Sequence, residues 1–245
     1  MSALGSKVVF KKRGFCPICE KNVLFSASRE WFRDFLLCSD CGSIPRERAL
    51  MHIVKSYYPN YKSLKIHETS PSNRGASPKL KRECSSYSAS QYYPELTLGQ
   101  LNPKHGFRNE DIEHMTFPDQ SFDLFISQDV MEHIFEPERA FKEISRVLKT
   151  GGAHIFTVPL INKEKSSARW ASRKKSGEIE YHHKPEYHGN PIDVRGALVT
   201  MHWGYDIAEF IHKEAGTPTT IVMIDNIEMG IRAEYIEVLV SRKYS

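Results

Sequence analysis

The chain has 245 residues, of which 40% are hydrophobic and 26% charged, with a formal net charge of +4. This length suits one medium-sized domain with a small appendage, and the composition is that of a folded globular protein. The mild positive charge falls short of the concentrated basic face of a nucleic-acid binder. No apolar run reaches the length of a membrane span, and residues 1–12 lack the hydrophobic core of a signal peptide. We therefore expect a cytoplasmic protein with no membrane partner.

The N-terminal region combines a basic arm with a cysteine motif. Residues 1–13 are rich in lysine and arginine and predict a loose basic arm. Cys16 and Cys19 form one C-x2-C pair, and Cys38 and Cys41 form a second pair after eighteen intervening residues. This spacing is typical of zinc ribbons, because each C-x2-C turn directs two sulfurs at one centre. We predict a four-cysteine zinc ribbon over residues 14–44.

Four thiolates complete a tetrahedral shell and leave no position open for a catalytic water, so the predicted Zn²⁺ is structural. Two disulfides are one alternative, disfavoured in a reducing cytosol, and a redox C-x2-C pair is another, disfavoured by the presence of two pairs. The fifth cysteine, Cys84, stands alone and is expected to be a small buried apolar residue.

Helical periodicity begins directly after the ribbon. A connecting helix is predicted over residues 45–60, with Pro45 in its first turn and apolar residues at helical spacing behind it. Leu64–His67 is then expected to be a strand, Ala76–Glu83 a helix and Ser85–Ser88 a second strand.

The most regular part of the chain follows. FDLFIS (Phe122–Ser127) is an apolar run of the kind that a sheet covered on both faces requires. PERAFKEISRVL (Pro137–Leu148) has apolar residues at i, i+3 and i+4, and Gly151 and Gly152 end that helix. AHIFTVP (Ala153–Pro159) predicts the next strand, which completes a right-handed βαβ unit.

A polar insertion is expected near residues 162–204, with a basic cluster at Arg169–Lys175. Behind it, Asp206–Ala215 predicts the last helix, and Thr219–Ile224 and Glu234–Ser241 predict a closing pair of strands.

The segment Asp111–Pro159, DIEHMTFPDQSFDLFISQDVMEHIFEPERAFKEISRVLKTGGAHIFTVP, resembles the second half of a class I S-adenosylmethionine-dependent methyltransferase. The resemblance implies an α/β, Rossmann-like fold over residues 61–245, with a seven-stranded, mostly parallel sheet, helices on both faces and one antiparallel strand at the edge. It also implies S-adenosyl-L-methionine as the cofactor, at the carboxyl ends of the strands. Asp111 and Ile112 would meet its adenine, and Ser127, Gln128 and Asp129 would lie beside the reacting methyl group.

The first cofactor loop departs from the family pattern, which is E/D-x-G-x-G-x-G. In HETSPSNRG the acidic position falls to Glu68, followed by Thr69, and Ser70 and Ser72 stand where glycines are usual. Serine lacks glycine's freedom at positive φ, so the loop is expected to take a different path. The acid that usually holds the ribose is absent as well, and Gln91 is the nearest replacement.

HETSPSNRGASPKLKREC, the ribbon and a late HKPEYHGNP stretch together resemble a bacterial group of zinc-ribbon-headed methyltransferases, some of which accompany genes for surface-glycan or small-molecule synthesis. The function expected is methyl transfer to a small-molecule or glycan-intermediate acceptor, at oxygen or nitrogen, by in-line displacement. The alternatives are an RNA-directed methyltransferase that binds through its ribbon and a catalytically silent binding protein with this fold. Nucleic acid is not favoured as a partner, and the oligomeric state stays open.

A hydroxyl or amine acceptor would need a general base. Candidates are His133, His188 and His202, with the polar cluster Glu186–Pro191 in the position of a substrate-recognition element. Packing beside Glu132 is the simpler role for His133. For His188 and His202, contact with the substrate and structural hydrogen bonding are equal alternatives to the role of base. A second metal held by His182, His183 and His188 is also considered, although their spacing matches no established motif.

Overall fold

The N-terminal region of the computed structural model is a small antiparallel sheet that carries the cysteine pairs. The structure describes residues 8–189 and 194–244. Its first three strands are β1 (Phe10–Cys16), β2 (Lys21–Ala27) and β3 (Leu36–Cys38), with the one-turn helix α1 (Phe32–Phe35) before β3. Cys16 ends β1 and Cys38 ends β3, so the sheet brings the two C-x2-C turns to one end.

Helix α2 (Pro45–Tyr57) joins this sheet to the rest of the chain. Ala49, Leu50 and Val54 are fully buried in a core that also contains ribbon residues such as Phe25 and Leu36. The ribbon and the larger sheet therefore share one continuous hydrophobic core.

The chain next forms most of the central sheet. A 3₁₀ turn, Tyr61–Ser63, precedes β4, and a second, Met131–His133, follows β7. The elements in this stretch are β4 (Lys65–Thr69), α3 (Ala76–Glu83), β5 (Ser86–Gln91), β6 (Arg108–Asn109), β7 (Phe122–Gln128), α4 (Pro137–Val147) and β8 (Leu148–Thr157). The predicted helix at Ala76–Glu83 is confirmed at both ends, whereas the first two strands run further than predicted and include Glu68 and Gln91.

The insertion forms short antiparallel pairs instead of a long element. Its strands are β9 (Ala168–Arg169), β10 (Ala171–Arg173), β11 (Ile179–Tyr181), β12 (Tyr187–His188), β13 (Ala197–Leu198) and β14 (Met201–His202). Residues Asn190 and Pro191 of the polar cluster lie outside the described residues.

The chain closes with α5 (Ile207–Ala215), β15 (Thr219–Val222), a 3₁₀ turn at Ile227–Met229 and β16 (Val238–Arg242). The seven-stranded sheet has the order β15-β16-β8-β7-β4-β5-β6, and β16 runs antiparallel to both of its neighbours. The predicted fold class is confirmed, with one correction: the antiparallel strand lies one position in from the edge, because β15 pairs outside it. No helix in the described ranges is long and apolar enough to cross a membrane.

Apolar side chains cover both faces of the sheet. Leu124 and Ile126 of β7 face the core shared with α2 and the ribbon, whereas Phe125 faces the core beneath α4 and α5. This two-sided burial explains the continuous apolar run of β7. It also leaves the carboxyl ends of β4, β5 and β7 as the edge where polar side chains collect.

Candidate active site and metal centre

The four ribbon cysteines converge on one centre. The Cys16 and Cys41 sulfurs are 4.0 Å apart, and the Cys19 and Cys38 sulfurs are 3.7 Å apart. A tetrahedral zinc ion with Zn–S bonds of about 2.3 Å requires sulfurs about 3.8 Å apart. All four cysteines lie within metal-binding distance of one another, so the donor set and its dimensions fit Zn²⁺.

A buried arginine holds the second cysteine turn in place. Arg48 is fully buried and donates to the Ser43 carbonyl, to the Leu36 carbonyl at 2.8 Å and to the Gly230 carbonyl at 2.7 Å. Burial lowers the pKa of Arg48 to about 10. The electrostatic attraction of the nearby cysteines opposes this shift, because it favours the charged guanidinium. Arg48 therefore connects α2, the ribbon and the C-terminal segment.

Glu68 lies beneath the cofactor edge at the end of β4 and is fully buried. Its carboxylate accepts hydrogen bonds from Ser77 Oγ at 2.7 Å, Tyr87 Oη at 2.8 Å and Gln128 Nε2 at 2.9 Å. Burial raises the pKa of Glu68, and these three hydrogen bonds oppose that rise by favouring the ionised form. The enclosed carboxylate acts on any cofactor through the residues that it positions, not by direct contact.

The loop after β4 is tied down by its own backbone. Thr69 ends the strand, and Ser70 donates its amide to the Ser90 carbonyl at 2.8 Å. Ser70 has φ of 52°, in the left-handed region that glycine adopts more easily. Ser70 therefore takes a glycine-like conformation although it is a serine. That the loop as a whole follows a path different from the usual one stays a prediction. The Ser72 amide donates to Ser77 Oγ at 3.0 Å, which anchors the loop to α3.

Gly75, at the end of this loop, meets α2. It has φ of 66°, and a Cβ atom there would lie 2.2 Å from Glu47 Oε2. Glu47 also accepts from the Ile44 amide at 3.0 Å and from Arg74 Nε at 3.3 Å. The helix that follows the ribbon therefore sets the position of the cofactor loop.

The residues expected at the ribose and adenine lie at the neighbouring strand ends. Gln91 ends β5 and is half-buried. Asp111 follows β6 and accepts from the Glu113 amide at 2.9 Å, and Ile112 is buried beside it. The fold thus brings Gln91, expected at the ribose, and Asp111, expected at the adenine, to the same edge of the sheet as Thr69 and Ser70.

Ser127 and Gln128 at the end of β7, and Asp129 directly after it, all have partners inside the protein. Ser127 Oγ lies 2.9 Å from His154 Nε2, and Gln128 bonds to Glu68. Asp129, with φ of 52°, accepts from Thr157 Oγ1 at 3.0 Å. Ser127 is fully buried, so a direct contact between its side chain and the reacting methyl group is not available in this arrangement.

Asp129 is also the anchor of two arginines from the N-terminal region. Arg33 Nη2 lies 2.7 Å from its carboxylate, and Arg46 Nε lies 2.9 Å away. Burial alone would raise the pKa of Asp129, but the charges of Arg46 and Arg33 outweigh burial and lower it to about 2. Sequence reasoning missed both arginines, since no local pattern connects a ribbon residue to a strand end ninety-six positions away.

The candidate bases come together behind β7. His133 and His188 have ring centroids 5.1 Å apart and flank the buried Glu132. His202 Nε2 lies 3.0 Å from Glu186 Oε2, and its ring stacks on Trp170 at 3.8 Å. Glu132, His133, Glu186, His188 and His202 are called the His–Glu cluster below.

Two other histidines of the insertion lie elsewhere. His182 is exposed, and its Nε2 lies 2.9 Å from Ser172 Oγ. His183 stacks at 4.0 Å on Trp170, the same residue on which His202 stacks. The metal-compatible group that contains His188 has Glu132 and His133 as its other members. The suggested set of His182, His183 and His188 is therefore corrected.

The comparisons with known proteins agree with the fold. Residues 77–156 match the family model described as "Methyltransferase domain". A solved S-adenosylmethionine-dependent methyltransferase from Mesorhizobium loti is 14% identical with a TM-score of 0.51, over 79% of this chain and 96% of that chain. The 1,6-didemethyltoxoflavin-N1-methyltransferase from Burkholderia thailandensis is 10% identical with a TM-score of 0.48, over 82% of this chain and 79% of that one. No curated protein matches the chain.

The matched segment runs from α3 through β7 to β8, within the seven-stranded sheet. Residues 77–156 thus match a methyltransferase domain, and the likeness to the Mesorhizobium loti structure shows the Rossmann-like fold. The expected fold is confirmed, and the match over residues 77–156 agrees with the expected enzyme class.

Proposed function

We propose that this protein transfers the methyl group of S-adenosylmethionine to an oxygen or nitrogen of a small-molecule or glycan-intermediate acceptor. The observation that carries the proposal is the meeting of two polar sets at one edge of the sheet. The cofactor set comprises Thr69–Gly75, Gln91 and Asp111, and the His–Glu cluster follows β7 at the same edge.

The residues of the cofactor set suit a nucleoside with a charged methionine end. Asp111 offers a carboxylate and Gln91 an amide able to bond to a ribose diol, while Ser70 and Ser72 fix the path of the loop. When bound, the cofactor supplies an electrophilic methyl group on a sulfonium. The task of the protein is then to align the acceptor and exclude water.

His202 is the general base of the proposal. Its Nε2 is directed at Glu186, so Nδ1 is the atom that takes the acceptor proton while the acceptor atom bonds to the methyl carbon and the carbon–sulfur bond breaks. A carboxylate at Nε2 stabilises the resulting imidazolium. His133 and His188 are turned toward Glu132 and are less suited to that task.

We also propose that the ribbon binds a structural Zn²⁺ and braces the cofactor edge. The spacing of the four sulfurs supports zinc, and the bracing rests on Arg33 and Arg46 at Asp129 and on Glu47 at Gly75. Both contacts run from the N-terminal region to loops at the carboxyl ends of strands.

Isothermal titration of the zinc-loaded protein with S-adenosylmethionine and S-adenosylhomocysteine tests the proposal. Micromolar binding is expected, with strong weakening in Asp111→Ala and none in the matched control Asp119→Ala, an exposed residue of the following loop. Absence of heat with both ligands would refute a working cofactor site and leave a silent binding protein. Given binding, an acceptor screen with His202→Gln as the inactive variant tests the base, and a salt-sensitive shift with RNA would favour a nucleic-acid acceptor instead.

A further inference from the structure

Glu132 is a buried carboxylate whose two oxygens have no hydrogen-bond partner within residues 8–189 and 194–244. The residue is 2% exposed, and both oxygens are enclosed. An ionised carboxylate in such a position is costly unless a cation or a donor reaches it. Among the described residues, its ion-pair neighbours are two histidines, His133 and His188.

His133 presents a lone pair to this carboxylate. Its Nδ1 lies 2.9 Å from the Leu198 carbonyl, and because a carbonyl can only accept, Nδ1 carries the hydrogen. The other nitrogen, Nε2, is then free to act as a ligand and lies 3.7 Å from Glu132 Oε1.

His188 repeats the arrangement with its nitrogens exchanged. Its Nε2 lies 3.3 Å from Glu186 Oε1, an acceptor, and its Nδ1 lies 3.6 Å from Glu132 Oε1. Each histidine is thus oriented by an oxygen acceptor on one nitrogen and directs the other toward Glu132. Metal-binding histidines are oriented in this way, by a carbonyl or a carboxylate on the distal nitrogen.

We propose that Glu132, His133 and His188 bind a divalent first-row transition metal ion. Their ligand atoms lie within 4.8 Å of one another, and the carboxylate–imidazole separations are too long for hydrogen bonds but suit atoms on either side of an ion. Two imidazoles and one carboxylate favour Zn²⁺, Fe²⁺ or Mn²⁺ over Mg²⁺, which prefers oxygen ligands.

The backbone that carries the first two ligands is fixed. The Thr200 amide donates to the Glu132 carbonyl at 2.8 Å, and Trp203 Nε1 donates to the Met131 carbonyl at 3.1 Å. Such rigidity keeps a metal site formed before the ion arrives. Arg33 is an electrostatic neighbour of Glu132, but its guanidinium is paired with Asp129 at 2.7 Å.

Three protein ligands leave positions open for an exogenous oxygen or nitrogen. If the proposed function holds, the ion would bind and orient the acceptor beside His202. The metal site itself does not depend on methyl transfer, so its test needs neither cofactor nor acceptor.

The test is equilibrium dialysis of the full-length protein against Zn²⁺, followed by metal analysis and zinc titration calorimetry. The wild type is expected to hold two zinc ions per chain, one in the ribbon and one in the His–Glu cluster. Glu132→Gln, which is nearly isosteric, and His188→Ala should each weaken the second site by more than about 100-fold, since loss of an orienting partner alone costs about 10–100-fold. Glu186→Gln changes the carboxylate that orients His188, so it should weaken zinc binding at the second site by only about 10–100-fold.

His182→Ala is the matched control, because it removes an exposed imidazole of the same insertion that lies outside the cluster. Thermal unfolding checks that each variant is folded. One zinc ion per chain in the wild type would overturn the proposal. A second ion bound with unchanged affinity by Glu132→Gln and His188→Ala would overturn it equally.

Discussion

His67 and His154 are buried in the central sheet, and their removal should change the acid stability of the protein in a defined way. Burial lowers the pKa of each to about 3. His67 lies between Ser88 and Ser90 at 2.9 Å from each hydroxyl, and His154 lies against Ser127. Neutral imidazoles suit these sites, because hydroxyls can serve as donor to one nitrogen and acceptor from another.

The size of the effect follows from the two protonation states. An unfolded histidine has a pKa of about 6.5 and takes up a proton below that pH, whereas the folded residue stays neutral until about pH 3. The folded pKa is depressed, so the stabilising contribution is complete above pH 6.5 and declines as the pH falls. At pH 5 the loss is about 2 kcal/mol for each histidine and about 4 kcal/mol for both. That is a large share of the stability of a typical domain.

Denaturant unfolding at pH 7 and pH 5 measures this loss. His154→Gln and His67→Gln should each lose about 2 kcal/mol less than the wild type between the two pH values, whatever their packing cost at pH 7. His182→Gln, at an exposed site, is the control and should behave like the wild type. Proton competition for the ribbon cysteines affects all variants alike and cancels in the difference. Equal losses in wild type and variants would refute the argument that these imidazoles are neutral in the folded state.

Three further perturbations test the connection between the ribbon and the cofactor edge. Asp129→Asn keeps the left-handed backbone but removes the buried charge that faces Arg33 and Arg46, which keep only the more exposed Asp34 as an ion-pair partner. The loss should cost about 3–5 kcal/mol of unfolding free energy by denaturant titration. At the exposed Arg232–Asp225 pair, Asp225→Asn should change that free energy by no more than about 1 kcal/mol. Gly75→Ala should lower both the stability of the protein and its affinity for S-adenosylmethionine, because the added Cβ would meet Glu47. The control is Gly177→Ala, which has a φ of 86° and open space around it. It should show only a backbone penalty of about 1–2 kcal/mol. Cys19→Ser should lose the ribbon zinc and bind the cofactor more weakly in calorimetry. Cys84→Ser, which lies outside the four-cysteine cluster, should retain the zinc. Unchanged cofactor affinity in Cys19→Ser would contradict the bracing role of the ribbon.

The sequence by itself determined the features that depend on local pattern. Helix α3 and helix α4 follow from residues at helical spacing between turn-forming residues, and β7 follows from a continuous apolar run. The C-x2-C spacing is equally local, because a two-residue turn fixes the direction of both sulfurs. The class of fold could be recognised for the same reason.

The tertiary structure alone decided which distant side chains meet. Glu68 and Gln128 become partners only when β4 pairs with β7. The two arginines reach Asp129 only because the ribbon packs on the same core as α2, and Glu132, His133 and His188 converge only because the insertion folds back over the turn after β7. Such contacts depend on chain closure over long separations, and no periodicity in one segment encodes the position of another.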